Sequence, residues 1–72
     1  MMRLSEQKIG FKGEVKSLEG DALFLSRLRE LGFIRGERIE LVGRAPFGDP
    51  FLVQAGNATV ALRREEAACI LV

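Results

Sequence analysis

The sequence contains no histidine, tryptophan or tyrosine, and it has a single cysteine, Cys69. Without histidine the chain lacks the commonest general base and metal ligand in proteins. A single cysteine excludes an internal disulfide and is typical of proteins in a reducing, cytoplasmic setting. The three serines have no neighbouring base, and no glycine-rich phosphate loop is present. The sequence therefore predicts a protein that is not an enzyme.

An excess of charge of one sign is also lacking, because eleven basic residues face ten acidic ones and the net charge is +1. Nucleic-acid binding is disfavoured, since it needs clustered basic charge or exposed stacking aromatics. No apolar run approaches the roughly 18 residues of a membrane span, and no signal-peptide pattern is found. With 47% hydrophobic residues in 72 positions, the chain is expected to form one small cytoplasmic domain.

Metal ligands are limited to carboxylates and one thiol. A tight Zn²⁺ site normally uses four ligands, most of them nitrogen or sulfur. We expect the adjacent carboxylates of Glu65 and Glu66 to lie on a solvated turn, and we expect Cys69 to be a core residue. No bound cofactor and no tight intrachain metal site are predicted.

The clearest helical pattern lies in residues 21–36, where Phe24, Leu28 and Leu31 recur on one face. Asp21 is a suitable N-cap, because its carboxylate can accept from the free N–H groups of the first turn. Gly32 can adopt the positive φ of a Schellman motif at the other end. These features predict a helix over residues 22–31.

The rest of the chain has the alternation and turn residues of short strands. Strands are predicted for residues 11–19, with an irregularity near Ser17, for 38–44, with a break at Gly43, and for 69–72, which would pair with the first strand. A hairpin turn at Gly56–Asn57 would place Phe51, Val53, Val60 and Leu62 on one face. Single helical turns are predicted near Ser5 and over residues 63–67. We therefore predict an all-β, SH3-like barrel of about five strands, with one helix after the first strand and a helical turn before the last.

Apolar residues without an obvious core role indicate an interaction surface. Leu23 and Leu25 flank the predicted buried face of the helix, and residues 45–50 form a loop with a proline at each end and Phe47 between them. Two interpretations are open: these side chains widen the core, or they dock onto a partner. The predicted partner-binding residues are Leu23, Leu25, Pro46, Phe47, Gly48, Asp49 and Pro50.

Three segments resemble one known family. They are LRELGFIRGERIELV, APFGDP and VALRREEAACILV, and the resemblance begins at Gly10, Gly13 and Val15 and runs to Val72. In this order they are similar to the ferrous iron transport protein A (FeoA) family. The resemblance implies an SH3-like domain that assists the membrane Fe²⁺ transporter FeoB, which has its own cytosolic GTPase domain.

The resemblance also implies similarity to the C-terminal SH3-like domain of iron- and manganese-dependent repressors, and the family is described as transition-metal binding. The first functional expectation is therefore a cytosolic adaptor or regulator, without chemistry of its own, that binds FeoB. The alternative is a metal-responsive regulatory module. The adaptor is favoured, because the chain has no histidine to sense a metal.

Overall fold

Two antiparallel sheets and two helices make up the computed structural model, which describes residues 2–72. In chain order the strands and helices are β1 (Lys12–Glu14), β2 (Ser17–Leu18), α1 (Ala22–Glu30), β3 (Arg38–Arg44), β4 (Phe51–Ala55), β5 (Ala58–Leu62), α2 (Arg64–Ala67) and β6 (Ile70–Leu71), with 3₁₀ turns at Leu4–Glu6 and Pro46–Gly48. The predicted helical turn near Ser5 is present, but Arg3 occupies its N-cap and Ser5 lies inside the turn.

The first predicted strand is divided between the two sheets. β1 pairs with β3 in the four-stranded sheet β1-β3-β4-β5, whereas β2 pairs with β6. The exchange happens at two residues: the Val15 N–H donates to Glu37 O at 2.9 Å, and the Lys16 N–H donates to Leu71 O at 2.8 Å. The predicted pairing of the last strand with the first is thus confirmed for the second half of the first strand.

The predicted hairpin is confirmed residue by residue. β4 and β5 pair through Phe51–Leu62, Val53–Val60 and Ala55–Ala58 around the Gly56–Asn57 turn. Phe51, Val53 and Leu62 are fully buried, and Val60 is partly buried against the same core. The break predicted at Gly43 is a register shift between Leu41 and Gly43 in the pairing of β3 with β4.

Helix α1 has the predicted caps. The Leu23 N–H donates to Asp21 Oδ1 at 2.9 Å. At the other end the Phe33 N–H donates to Leu28 O at 2.9 Å and the Gly32 N–H donates to Arg29 O at 3.1 Å, which are the two bonds of a Schellman motif. The accompanying apolar contact pair is Leu28 and Phe33, both fully buried.

The buried stripe of α1 differs from the predicted one. Leu28 is fully buried, and Leu25 and Leu31 pack against the core. Phe24, predicted to be part of the stripe, is 39% exposed. Successive helical residues are about 100° apart, so a stripe that follows Leu25 and Leu28 turns Phe24 to the side.

Glu65 and Glu66 were both expected to be solvated, and for Glu66 this expectation is wrong, because its side chain is buried. Its side chain is only 5% exposed and forms an ion pair with Arg27 Nε at 3.1 Å. Its other oxygen accepts from the Arg63 N–H at 2.8 Å, which caps α2. The buried carboxylate therefore joins α1 to α2, while Glu65 remains exposed.

Replacing Gly32 should test the helix cap. Gly32 has φ of +103° and no atom lies within 4 Å of a Cβ placed there, so the cost of a side chain is conformational. We expect Gly32→Ala to lower the free energy of unfolding by about 1–2 kcal/mol and Gly32→Asn to lower it less, because asparagine tolerates positive φ. Urea denaturation followed by circular dichroism measures this, with the exposed Ser26→Ala as control. A wild-type stability for Gly32→Ala would contradict the cap.

Replacing Glu66 should test the link between the helices. Glu66→Ala leaves the Arg63 N–H without its acceptor, although Arg27 remains exposed to water, so we expect a loss of about 1–3 kcal/mol. The neighbouring Glu65→Ala is the matched control, with an expected change within about 0.5 kcal/mol. Equal effects of the two substitutions in the same denaturation experiment would show that the ion pair and cap contribute nothing.

Candidate interaction surface

Cys69 is buried in the described part of the chain. Cys69 is 6% exposed, and its Sγ donates to Glu65 O at 3.3 Å. Burial raises the pKa of the Cys69 thiol above its ordinary value, which disfavours the reactive thiolate. Among residues 2–72, no three Cys, Asp or Glu side chains are grouped as metal ligands. In the same part of the chain no helix is long and apolar enough to cross a membrane.

The predicted partner-binding residues differ in their exposure. Leu23 is 81% exposed and Phe47 is fully exposed, with a relative accessibility of 105%. Leu25 instead packs against the core. Phe24, which the sequence pattern assigned to the core, is exposed at the same end of the helix. The exposed apolar residues of this region are therefore Leu23, Phe24 and Phe47.

A groove joins the helix to the proline loop. It has a volume of about 330 Å³. Its walls are Phe24 and Arg27 of α1, Pro50 of the loop, Ala61 of β5, and Arg63, Glu65 and Glu66 around α2. The groove therefore has residues of α1 on one side and Pro50, from the loop of residues 45–50, on another. We use the name docking face for the exposed apolar residues Leu23 and Phe24 of α1 and Phe47 of the loop, after the partner-binding role predicted from the sequence.

The loop holds Phe47 in an uncommon conformation. Phe47 has φ of +71° and the following Gly48 has φ of +83°. Positive φ is unfavourable for a bulky side chain, and residues held in this way occur disproportionately at functional sites. The Gly48 N–H donates to Ala45 O, and the Ala45 N–H donates to Pro50 O, both at 2.9 Å. These bonds close the loop, and the Phe47 ring projects into solvent.

Asp49 ties the loop to α2. Its Oδ1 accepts from the Arg64 N–H at 3.1 Å, at the first residue of the helix. A carboxylate at a helix N-terminus is favourable, because the free N–H groups there carry partial positive charge. Asp49 therefore has a positioning role in the structure, and the bond between Asp49 and Pro50 is cis.

Two arginines lie beneath the loop, and the sequence analysis did not identify them. The guanidinium carbon of Arg44 lies 4.4 Å from the centre of the Phe51 ring, and that of Arg64 lies 5.8 Å from it. Arg44 Nη2 also donates to Gly48 O at 3.4 Å. Only the folding of β3, the loop and α2 around Phe51 brings these two residues together, so no local sequence pattern indicates the pair.

Comparison with known proteins identifies relatives over nearly the whole chain. A fusion protein of an Fe²⁺ transport protein A and the Fe²⁺ transporter FeoB, from Porphyromonas gingivalis, is 41% identical over 69 residues, which are 96% of this chain and 8% of the fusion protein. The chain thus corresponds to a small part of that relative.

Solved structures agree with the predicted barrel. Stenotrophomonas maltophilia FeoA, crystallised with zinc and described as a prokaryotic SH3 domain protein, is 37% identical with a TM-score of 0.85, over 99% of this chain and 88% of that chain. A manganese-dependent transcriptional repressor is 25% identical with a TM-score of 0.85, over 94% of this chain and 38% of the repressor. The predicted SH3-like fold and its likeness to metal-dependent repressors are confirmed.

The sequence profile of the FeoA domain matches residues 2–72. This match covers the core, both helices and the docking face, and it agrees with the resemblance found in the sequence motifs. The chain belongs to the FeoA domain family.

Proposed function

We propose that this protein is a non-catalytic accessory factor of ferrous iron uptake, which binds the cytosolic part of a FeoB-type membrane transporter and acts at the cytoplasmic face of the membrane. The observation that carries the proposal is the fusion protein of Porphyromonas gingivalis, in which a segment 41% identical to this chain and a FeoB transporter form one polypeptide. A covalent link keeps two domains at a high effective concentration. Where the two proteins are separate chains, the smaller one needs affinity of its own to remain with the transporter.

The docking face is the best source of that affinity. With a net charge of +1 the chain has little long-range attraction to offer, so apolar area must supply most of the binding energy. Burial of one large apolar side chain is worth about 1.5–3 kcal/mol, and a few such residues commonly dominate an interface. Phe47 suits this role, because its loop is already closed by hydrogen bonds and little conformational entropy would be lost on binding.

A metal-responsive regulatory module is the second candidate. It is supported by the likeness to the manganese-dependent repressor and by the zinc in the crystals of the Stenotrophomonas maltophilia relative. Against it, the described residues of this chain do not group three protein ligands around one point. The adaptor therefore remains the preferred function, and the two differ in whether Fe²⁺ changes the binding of the transporter.

Substitutions on the docking face should weaken binding without unfolding the protein. We expect Leu23→Gln and Phe47→Ser each to reduce capture of the FeoB-type transporter encoded in the same genome by about tenfold or more, because each removes an exposed apolar anchor. Capture from detergent-solubilised membranes and Fe²⁺ uptake by cells are the measurements. Ile9→Gln is the matched control, since Ile9 is also exposed, at 59%, and lies outside both α1 and the loop.

The same experiment separates the alternatives. If the variants melt like the wild type and still capture the transporter, the docking face is not the binding surface. If the wild type itself fails to capture the transporter, the adaptor function is wrong. Capture that requires added Fe²⁺ would support the metal-responsive module.

Leu25 should behave differently from Leu23. Leu25 packs against the core and Leu23 is 81% exposed, so Leu25→Gln places a polar group in partly buried apolar surroundings. We expect a loss of about 1–3 kcal/mol in unfolding free energy for Leu25→Gln and a change within about 0.5 kcal/mol for Leu23→Gln. Urea denaturation of both variants measures the difference. Equal stabilities would contradict the core position of Leu25.

A further inference from the structure

We propose that the loop carries an anion-binding subsite, formed by the guanidinium groups of Arg44 and Arg64, and that a carboxylate from an acidic peptide segment of the protein partner occupies it. This inference rests on the proposed adaptor function and adds the chemistry of the partner. We call these two residues the arginine pair. The partner segment that fits them has an acidic side chain next to an apolar one, because the pair lies beneath the loop that presents Phe47.

The guanidinium groups of Arg44 and Arg64 lie close to each other. A Cβ placed on Gly48 would lie 3.1 Å from Arg44 Nη2 and 3.4 Å from Arg64 Nη2, so both groups point to the same spot beside the loop. Both guanidinium groups also lie near the same Phe51 ring. Two like charges held side by side repel each other unless an anion lies between or beside them.

The arginine pair has no carboxylate counterion within the described residues. Within residues 2–72, neither guanidinium has a carboxylate oxygen within the 4.0 Å of an ion pair. Asp49 is the carboxylate of the loop, and its Oδ1 accepts from the backbone N–H of Arg64. The one carboxylate of the loop is therefore bound to a backbone N–H and forms no ion pair with either guanidinium.

The Arg44 side chain makes few hydrogen bonds in the described part of the chain. Its Nε is buried and donates to no acceptor in the described part of the chain, while its Nη2 has only the long bond of 3.4 Å to Gly48 O. A buried donor without an acceptor is destabilising. The Phe51 ring attracts the positive charge, but it offers no acceptor in the plane of the guanidinium. Arg44 is therefore held by the Phe51 ring, and much of its hydrogen-bonding capacity is not used within the described part of the chain.

Gly48 keeps the subsite open. Any side chain at this position would touch the Nη2 atoms of both arginines, and φ of +83° favours glycine as well. A carboxylate is the group that matches two guanidinium edges, since its two oxygens accept from planar N–H donors in a bidentate manner.

The neighbourhood favours a peptide over a phosphate-bearing ligand. Phe47, fully exposed, lies next to Gly48 and provides apolar contact for the side chain that follows the acidic one. Nucleic acids and anionic membranes are instead held by extended basic surfaces, and the chain carries ten acidic residues against eleven basic ones. The combination of two arginines and one aromatic ring suits a single acidic side chain within an apolar segment.

The subsite can be tested on the isolated protein by NMR. The probe is an N-acetylated peptide of alternating leucine and glutamate, and the same peptide with glutamine is its control. We expect the glutamate peptide to shift the arginine Nε–Hε resonances of Arg44 and Arg64, and Arg64→Gln or Arg44→Lys to weaken its binding by about tenfold. Arg29→Gln, an exposed arginine on α1, is the control variant and should bind like the wild type. Thermal melting confirms that each variant is folded.

The outcomes are distinct. Equal binding of both peptides, or unchanged binding by Arg64→Gln and Arg44→Lys, overturns the subsite. Binding of inorganic phosphate but not of the glutamate peptide also overturns it and indicates a phosphate-bearing ligand.

Loss of transporter capture in Arg64→Gln, with capture retained in Arg29→Gln, supports the subsite in the complex. If the wild type captures the transporter and the arginine variants capture it equally well, the subsite is wrong and the adaptor function stands. If the wild type captures no transporter, the adaptor function fails and the peptide titration alone decides the subsite.

Discussion

The change of partner at Val15 and Lys16 is the constraint on which the rest of this small barrel depends. One extended segment pairs first with β3 and then, two residues later, with β6, so it belongs to both sheets. This arrangement places the two ends of the described chain together: Met2 N–H donates to Val72 O at 3.3 Å and Val72 N–H donates to Met2 O at 2.8 Å. Leu4 and Ile70 are fully buried as a result. A domain of this size has few apolar residues to bury, and closure through its ends lets 13 buried residues share one core.

Two sets of contacts attach the docking face, the proposed binding surface, to that core. The Schellman motif ends α1 so that Phe33 turns directly into the interior, and the buried Glu66 joins α1 to α2 through Arg27. The loop is attached to α2 in turn by the bond from the Arg64 N–H to Asp49. The docking face is therefore held by a chain of contacts from helix to helix to loop. These contacts fix the helix and the loop relative to α2, which would limit the entropic cost of the proposed binding.

Local features were predictable from the sequence, and long-range ones were not. The Gly56–Asn57 hairpin and the caps of α1 depend on residues a few positions apart, so their patterns are visible in the chain. The buried stripe of α1 was predicted correctly at Leu28 and Leu31 and incorrectly at Phe24, because a short helix with leucine or phenylalanine at 23, 24, 25, 28 and 31 has two nearly equivalent apolar stripes. The burial of Glu66 depends on Arg27, and the arginine pair depends on the packing of separate elements around Phe51. Such contacts leave no periodic signal.

The conformation of Phe47 lowers the stability of the fold, while it exposes the ring for the proposed interaction. An aromatic residue with φ of +71° costs the fold of the order of 1–3 kcal/mol relative to a residue that adopts this region freely. Glycine or asparagine at this position would relieve the cost, and selection for heat resistance alone would favour them. The same change would remove the most exposed aromatic ring of the protein. A variant of the loop optimised for stability alone would thus be expected to lose the proposed binding, because the unfavourable φ and the exposed ring belong to the same residue.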